Sequence, residues 1–112
     1  MAGTAEAIKD IFTQMPGQIN ADAAKGMSSV IQFNLSGDGG GNYYVEIKDG
    51  AAKVTEGSHE KPSMTMTLAA SDYVDLIMGK LNGQMAFMSG KLKIAGDMGL
   101  AMKMQTLFKR PA

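Results

Sequence analysis

The sequence predicts an α+β domain in which one layer of helices covers a largely antiparallel sheet of five strands. Apolar residues repeat at helical spacing near both ends of the chain and alternate with polar residues in its middle. Short turn sequences separate the alternating runs, as in hairpins. The 112 residues fit a single domain, residues 1–112, which is large enough to bury roughly 65% of its unfolded surface.

The N-terminal segment predicts an amphipathic helix. Its apolar residues follow the spacing i, i+3, i+4 and i+7 and form one stripe, made by Ile8, Ile11, Phe12 and Met15. Thr4 can cap its first turn, and Pro16 with Gly17 ends the pattern. A short helical turn is expected at residues 21–25.

Four alternating runs in the middle of the chain predict strands, at residues 29–35, 43–48, 51–55 and 63–68. Asp49 and Gly50 form a strong two-residue hairpin signal between the second and third runs. A glycine-rich turn joins the first two runs, and a polar loop precedes the fourth. Because short connections join consecutive strands, we predict that these four form an antiparallel meander.

Helical spacing returns after the fourth strand. Ser71 is expected to cap a helix that ends at Gly79, and a shorter helix follows at residues 83–88. Residues 91–95 alternate and predict the fifth strand, after which a last helix extends to about Phe108. The helical connection before the fifth strand leaves parallel pairing with a neighbouring strand open.

Composition excludes several classes of protein. The chain has 11 basic and 11 acidic residues, and this zero net charge argues against a dedicated nucleic-acid binder. It has no cysteine, so it forms no disulfide and holds no metal through thiolates. It lacks the run of ~20 apolar residues that a transmembrane helix needs, and its N-terminus does not resemble a signal peptide. We therefore expect a cytoplasmic, monomeric protein that binds no nucleic acid.

The charges are divided unevenly along the chain. Residues 1–79 contain five lysines and ten acidic residues, which sums to −5, whereas residues 80–112 contain five lysines, one arginine and one aspartate, which sums to +5. Basic residues near an anionic bilayer favour binding by about 1 kcal/mol each. We therefore hypothesise transient contact with a membrane surface through the basic residues of the second segment: Lys80, Lys91, Lys93, Lys103, Lys109 and Arg110. The alternative is that these side chains are simply solvated.

Signals for catalysis are weak. His59 is the one histidine and lies in a polar loop, where a solvated role is expected because nothing nearby in the sequence would bury or orient it. The nearest acid pairs, Asp72 with Asp75 and Glu56 with Glu60, fall in expected helix caps or loops. One histidine and no cysteine leave no metal-ligand spacing. We expect no catalytic residue, no metal site and no cofactor.

Methionine is unusually frequent, with 11 Met against four Phe and three Tyr. Met side chains are flexible and fill irregular cores, and they also line adaptable binding surfaces. The last helix has two apolar stripes, one with Leu100, Met104, Leu107 and Phe108 and a second with Met98, Ala101 and Met102. A helix on a sheet needs only one such stripe. The second stripe is expected to meet the helix at residues 83–88, a partner protein or an apolar ligand.

Residues 71–82 and 85–105 carry a longer pattern, whose most specific part is Gly-Lys-Leu-Lys-Ile-Ala-Gly-Asp-Met-Gly-Leu-Ala-Met-Lys at residues 90–103. This pattern strongly resembles sterol carrier protein 2, the non-specific lipid-transfer domain. The resemblance implies a five-stranded mixed, mostly antiparallel sheet with helices on one face that enclose a hydrophobic tunnel. It implies that the tunnel holds fatty acids, fatty acyl-CoA, sterols and similar lipids, and that the domain itself is not an enzyme. The chain lacks the C-terminal tripeptide of the peroxisomal members, which agrees with the expected cytoplasmic location.

The sequence therefore predicts a protein that binds and transfers lipids non-covalently. Two alternatives stay open: a Met-rich protein-interaction module, and an accessory subunit that presents lipid or quinone intermediates to enzymes. Residues on expected inward or doubly apolar faces are the candidates for the cavity wall: Phe12, Phe33, Leu35, Ile77, Met85, Phe87, Met88, Leu100, Met104, Gln105, Leu107 and Phe108. Among them Gln105 is expected to supply one polar contact to a ligand head group, because it continues the second stripe of the last helix.

Overall fold

The computed structural model describes residues 4–37 and 39–107, with the side chains of residues 101, 102 and 104–106 outside that description. These residues form five α-helices, one 3₁₀ helix and one five-stranded sheet. In chain order the elements are α1 (Thr4–Gln14), the 3₁₀ helix (Met15–Gln18), α2 (Ala21–Ala24), β1 (Ser28–Ser36), β2 (Gly41–Lys48), β3 (Ala51–Glu56), β4 (Met64–Ala69), α3 (Ala70–Ile77), α4 (Gly83–Met88), β5 (Lys93–Gly96) and α5 (Met98–Leu107).

Strand β1 lies at the centre of the sheet, whose order is β3-β2-β1-β4-β5. It pairs antiparallel with β2, where Ile31 is opposite Val45, and parallel with β4, where Ile31 is opposite Met64. The β2–β3 and β4–β5 pairings are antiparallel. The sheet is therefore mixed, with three antiparallel pairings and one parallel pairing, and this confirms the predicted fold class.

The placement of two strands differs from the sequence-based expectation. The predicted meander is wrong, because β4 pairs with β1 and not with β3. The loop between Glu56 and Met64 is long enough to cross the sheet, and it brings β4 to the edge of β1 that β2 leaves unpaired. The fifth strand is not parallel to its neighbour: α3 and α4 return the chain to the end of β4 that it left, where Lys93 pairs antiparallel with Thr67.

The crossing loop is held on the outer face of the sheet by Gln32, a buried polar residue of β1 with an exposed fraction of 3%. Its Oε1 accepts a hydrogen bond from the His59 N–H at 2.8 Å, and its Nε2 donates to the Gly57 carbonyl at 3.1 Å. Further along the loop, the Ser63 N–H donates to the Val30 carbonyl at 2.8 Å. The side chain of Gln32 therefore provides hydrogen-bond partners for backbone groups of the loop that would otherwise be left without a partner in the protein.

The core lies between the other face of the sheet and the helices. Alternate residues of β1, β2 and β4 are buried on this face, in the period of two that a strand imposes. The helices cover them with residues that are also buried, among them Ile8, Tyr73, Ala86, Leu100 and Leu107. No buried side-chain polar atom of the described residues lacks a hydrogen-bond partner.

Helices α4 and α3 begin in different ways, one with a side-chain cap and the other without. Asn82 caps α4, since its Oδ1 accepts from the N–H groups of Gln84 and Met85 at 2.8 and 3.2 Å. The expected cap at Ser71 is wrong: β4 continues directly into α3, which begins at Ala70 and places Ser71 inside the first turn. Helix α3 therefore begins without a side-chain cap, directly where β4 ends.

The glycine-rich turn after β1 packs against the start of α1. Gly39 has a φ of +78°, and a Cβ built on it would lie 2.6 Å from the Ala5 backbone nitrogen. A side chain at this position would clash with backbone as well as strain the left-handed conformation. The turn therefore serves the docking of α1, in addition to joining two strands.

We predict that Gln32→Leu destabilises the fold by roughly 1–3 kcal/mol, because it leaves the His59 N–H and the Gly57 carbonyl without their partner. Denaturant unfolding measures this loss. Asn42→Ala is the matched control: the Asn42 Nδ2 donates at 3.4 Å to Ser58 Oγ of the same loop but is exposed, so its removal should cost less than about 0.5 kcal/mol. Equal losses in the two variants would contradict the role given to Gln32.

Candidate functional site

A cluster of four aromatic rings occupies the apolar layer between helices and sheet. Phe12 of α1 is central to it, with ring centroids 5.2 Å from Phe33, 4.2 Å from Tyr43 and 5.7 Å from Tyr73. Phe33 and Tyr73 also contact each other at 5.5 Å. The four rings come from α1, β1, β2 and α3, so the cluster joins the helical layer to the middle of the sheet.

An open groove reaches this cluster from the side of β3. Its volume is about 430 Å³, within the range of small-molecule pockets. One wall comes from α1 and the 3₁₀ helix and the other from β2 and β3, through Lys9, Phe12, Thr13, Pro16, Tyr43, Ala52, Lys53, Val54 and Glu56. Phe12 and Tyr43 belong to both the groove and the buried core. An apolar ligand in the groove would therefore touch the core directly.

Polar groups lie beside the apolar floor of the groove. Lys9 and Glu56 are exposed and place opposite charges at its rim. Burial, together with the nearby Glu56 carboxylate, raises the pKa of Tyr43 above its ordinary value. A tyrosine is protonated at neutral pH even at its ordinary pKa of about 10, so the Tyr43 hydroxyl can donate a hydrogen bond to a ligand oxygen.

The residues predicted to line a cavity fall into three groups. Buried on the helix-facing side of the sheet or in the helices over it are Phe12, Phe33, Leu35, Leu100 and Leu107. Ile77 is half-buried against the same core, whereas Met85, Phe87 and Met88 are exposed. Met104 and Gln105 lie in α5 with their side chains outside the described part, and Phe108 lies outside the described residues. The enclosed tunnel, and the roles of these residues in it, stay predictions.

Sequence reasoning missed several residues of the groove and of the aromatic cluster beneath it. Tyr43 and Tyr73 lie on the inward faces of β2 and α3, so the alternation of β2 and the apolar face of α3 were available signals. Ala52 and Val54 lie on an edge strand with weak alternation. Lys9 carried no signal, because a lysine on the polar side of a helix is ordinary.

The predicted membrane-contact residues are exposed where the structure describes them. Lys80, Lys91, Lys93 and Lys103 all have exposed side chains. Lys109 and Arg110 lie outside the described residues. Exposure is compatible with the predicted contact and equally with solvation, so the contact stays a prediction.

His59 is better ordered than the sequence suggested. Its ring is half-buried against Tyr44 with centroids 5.2 Å apart, and its Nδ1 accepts from the Lys61 N–H at 3.0 Å. Both contacts lie on the outer face of the sheet, away from the groove. The expectation that nothing orients His59 is therefore wrong, because the crossing loop packs back onto the sheet.

The described residues hold neither a metal-binding cluster nor a helix that could span a membrane. Residues 4–37 and 39–107 contain no cluster of three or more His, Cys, Asp or Glu side chains arranged to hold a metal ion. None of the described helices has the length and apolar character needed to cross a membrane.

Comparison with known proteins identifies the family. A model of the SCP-2 sterol transfer family matches residues 8–109. This chain belongs to that family. Among solved structures, sterol carrier protein domain 2 of Helicoverpa armigera is 34% identical with a TM-score of 0.72, and the match covers 89% of this chain and 84% of that one. The palmitated SCP2L2 of Aedes aegypti is 26% identical with a TM-score of 0.70, over 95% and 93% of the two chains.

Curated relatives place a similar segment inside longer proteins. Hydroxysteroid dehydrogenase-like protein 2 of Xenopus tropicalis is 37% identical over 101 residues, which cover 89% of this chain and 24% of that protein. The human protein of the same name is 33% identical over 105 residues, or 25% of its length. This SCP-2 chain thus spans about a quarter of the length of these relatives.

Tyr73→Phe is predicted to make the SCP-2 fold less sensitive to alkali. Burial raises the pKa of Tyr73 above its ordinary value, so the folded state resists ionisation. In the unfolded chain this tyrosine ionises near pH 10. The free energy of unfolding therefore keeps its full value below about pH 10 and falls above it by up to about 1.4 kcal/mol per pH unit. Urea unfolding at pH 8 and at about pH 11 measures this slope. A slope that Tyr73→Phe leaves unchanged would contradict the assignment.

Proposed function

We propose that this chain binds lipids non-covalently between its helices and its sheet and transfers them between membranes. The observation that carries the proposal is the groove that opens onto the aromatic cluster of an SCP-2 family fold. Water is excluded from an alkyl chain held there, which is worth roughly 0.8 kcal/mol for each buried CH₂ group.

The proposed ligands are fatty acids, fatty acyl-CoA and sterol-like molecules. All of them combine a large apolar body with a small polar end, and the groove has the matching arrangement of apolar floor and polar rim. The similar domain from Aedes aegypti, solved in a palmitated form, supports a fatty acyl chain as one ligand. We propose that the Tyr43 hydroxyl and the Lys9 ammonium, which both line the groove, meet the carboxylate of a bound fatty acid.

The domain acts as a carrier and not as an enzyme in this proposal. The one histidine lies on the outer face of the sheet, on the opposite side from the groove. The dehydrogenase-like relatives are about four times longer than the matched segment, so the proposal assigns any oxidoreductase chemistry to their remaining length. We further propose that the domain is a cytoplasmic monomer without nucleic-acid partners.

Filling the groove should block binding of every lipid class. Ala52 lies half-buried in the groove, so Ala52→Phe is expected to weaken both a fluorescent fatty acid and the fluorescent alcohol of the same chain length by about tenfold or more. Ala51→Phe is the matched control, because the neighbouring Ala51 is exposed and does not line the groove. Titration of each purified variant by fluorescence measures the affinities. If wild-type protein binds neither probe, the proposed function is wrong; if Ala52→Phe binds as well as Ala51→Phe, the ligand lies elsewhere.

Rim charges should act on the fatty acid alone and in opposite directions. Lys9→Gln is expected to weaken fatty-acid binding about two- to fivefold, and Glu56→Gln to strengthen it by a similar factor, since exposed charges interact weakly. The fluorescent alcohol should be unaffected in both variants. Lys25→Gln is the control and should change neither affinity, because Lys25 is exposed in the loop between α2 and β1 and does not line the groove. Equal effects on the acid and the alcohol would show that the head group does not lie at this rim.

A further inference from the structure

Helix α4 turns its large apolar side chains outward. Ala86 is its buried residue, whereas Met85, Phe87 and Met88 have exposed fractions of 68%, 44% and 78%. Amphipathic helices of soluble proteins place large apolar side chains inward. An exposed cluster of this kind commonly marks a surface that another partner covers. We refer to Met85, Phe87 and Met88 as the α4 face.

Helix α4 is capped at both ends and is joined to the segment that follows it through its buried residue, Ala86. The Asn82 cap begins the helix, and the Ser89 Oγ donates to the Ala86 carbonyl at 3.2 Å. The Leu92 N–H donates to the same carbonyl at 3.1 Å, and Leu92 is itself buried. Rotating the α4 face inward would expose Ala86 and break the hydrogen bond between its carbonyl and the Leu92 N–H, so the exposure of the face is part of the folded structure.

The chain segment that contains the α4 face is basic. From residue 76 to residue 96 the chain has three lysines, Lys80, Lys91 and Lys93, and no Asp or Glu, and one aspartate flanks the segment at each end. All three lysine side chains are exposed. Lys91 adjoins Leu92, which is hydrogen-bonded to α4, and Lys80 precedes the Asn82 cap by two positions. The flexible side chains of Met85 and Met88 can pack among the acyl chains of a bilayer, while the neighbouring lysines can pair with its anionic head groups.

We propose that the α4 face docks on anionic lipid bilayers, with Met85, Phe87 and Met88 entering the head-group region and Lys80 and Lys91 meeting lipid phosphates or carboxylates. A protein partner is disfavoured because a helix of six residues offers much less area than a standard interface. This docking rests on the proposed lipid transfer, for which it names the surface that meets donor and acceptor membranes. It does not depend on where the groove holds its ligand.

The absence of cysteine in the chain allows a direct test of insertion. Met88→Cys and Lys48→Cys, both at exposed positions, are labelled with an environment-sensitive fluorophore and mixed with vesicles of phosphatidylcholine and phosphatidylserine. We expect the emission of the probe at position 88 to shift to shorter wavelength and that at position 48, on the β2–β3 hairpin, to stay unchanged. Equal shifts at both positions, or none at position 88, overturn the proposal.

Variants of the unlabelled full chain test the two parts of the surface by vesicle flotation. Replacing Met85, Phe87 and Met88 by Ser should reduce the partition coefficient by roughly tenfold or more. Replacing Lys80 and Lys91 by Gln should reduce it by about tenfold on anionic vesicles, and added salt should reduce the wild-type binding in the same way. Lys25→Gln with Lys48→Gln, two exposed lysines beside the β2–β3 hairpin that do not line the groove, is the charge-matched control and should change little.

Two further results distinguish this proposal from the proposed function. Because the α4 face is exposed and none of its three residues lines the groove of the proposed function, the Ser variant should keep its thermal stability and its affinity for the fluorescent fatty acid. Loss of vesicle binding with intact fatty-acid binding supports the docking surface, whereas vesicle binding that survives in the Ser variant overturns it. A dimer in sedimentation that the Ser variant abolishes, with no vesicle binding by wild type, assigns the face to a second copy and also overturns it.

Discussion

The pairing of β1 on both of its edges is the constraint on which the rest of the structure depends. Since strand side chains alternate, β1 directs Ile31 and Phe33 towards one face of the sheet and Gln32 towards the other. The apolar residues require a cover of helices, and the buried amide requires polar partners. The helices meet the first requirement and the crossing loop meets the second, so one strand determines what lies on both faces.

The candidate site follows from the first of these requirements. Phe12 covers Phe33 at 5.2 Å and also forms part of the groove wall. Core and groove therefore share side chains, and a ligand that contacts Phe12 and Tyr43 adds to the burial of residues that already stabilise the fold. A ligand that binds the folded state but not the unfolded state raises the free energy of unfolding by mass action. Ligand occupancy and the stability of the fold are therefore linked in this arrangement.

Methionine serves two purposes in this chain. Met64 and Met66 are buried in β4, where their flexible side chains fill the layer beneath the helices. Met85 and Met88 are among the most exposed large apolar residues, on a helix whose small Ala86 faces inward. The composition alone could not separate these uses, because the thioether suits an irregular core and an adaptable surface equally well.

The sequence by itself determined the local elements and the family. Periodicity located the helix at residues 83–88 with the bounds that the structure has, and Asp49, with a φ of 48°, forms the predicted hairpin turn with Gly50. The pattern at residues 90–103 pointed to the SCP-2 family. These features depend on residues a few positions apart. Only the tertiary structure decided that β4 lies beside β1, that α4 faces outward and that the groove opens beside Phe12. Each of these depends on contacts between residues distant in the chain, such as Gln32 with His59 and Phe12 with Tyr43, which local spacing does not encode.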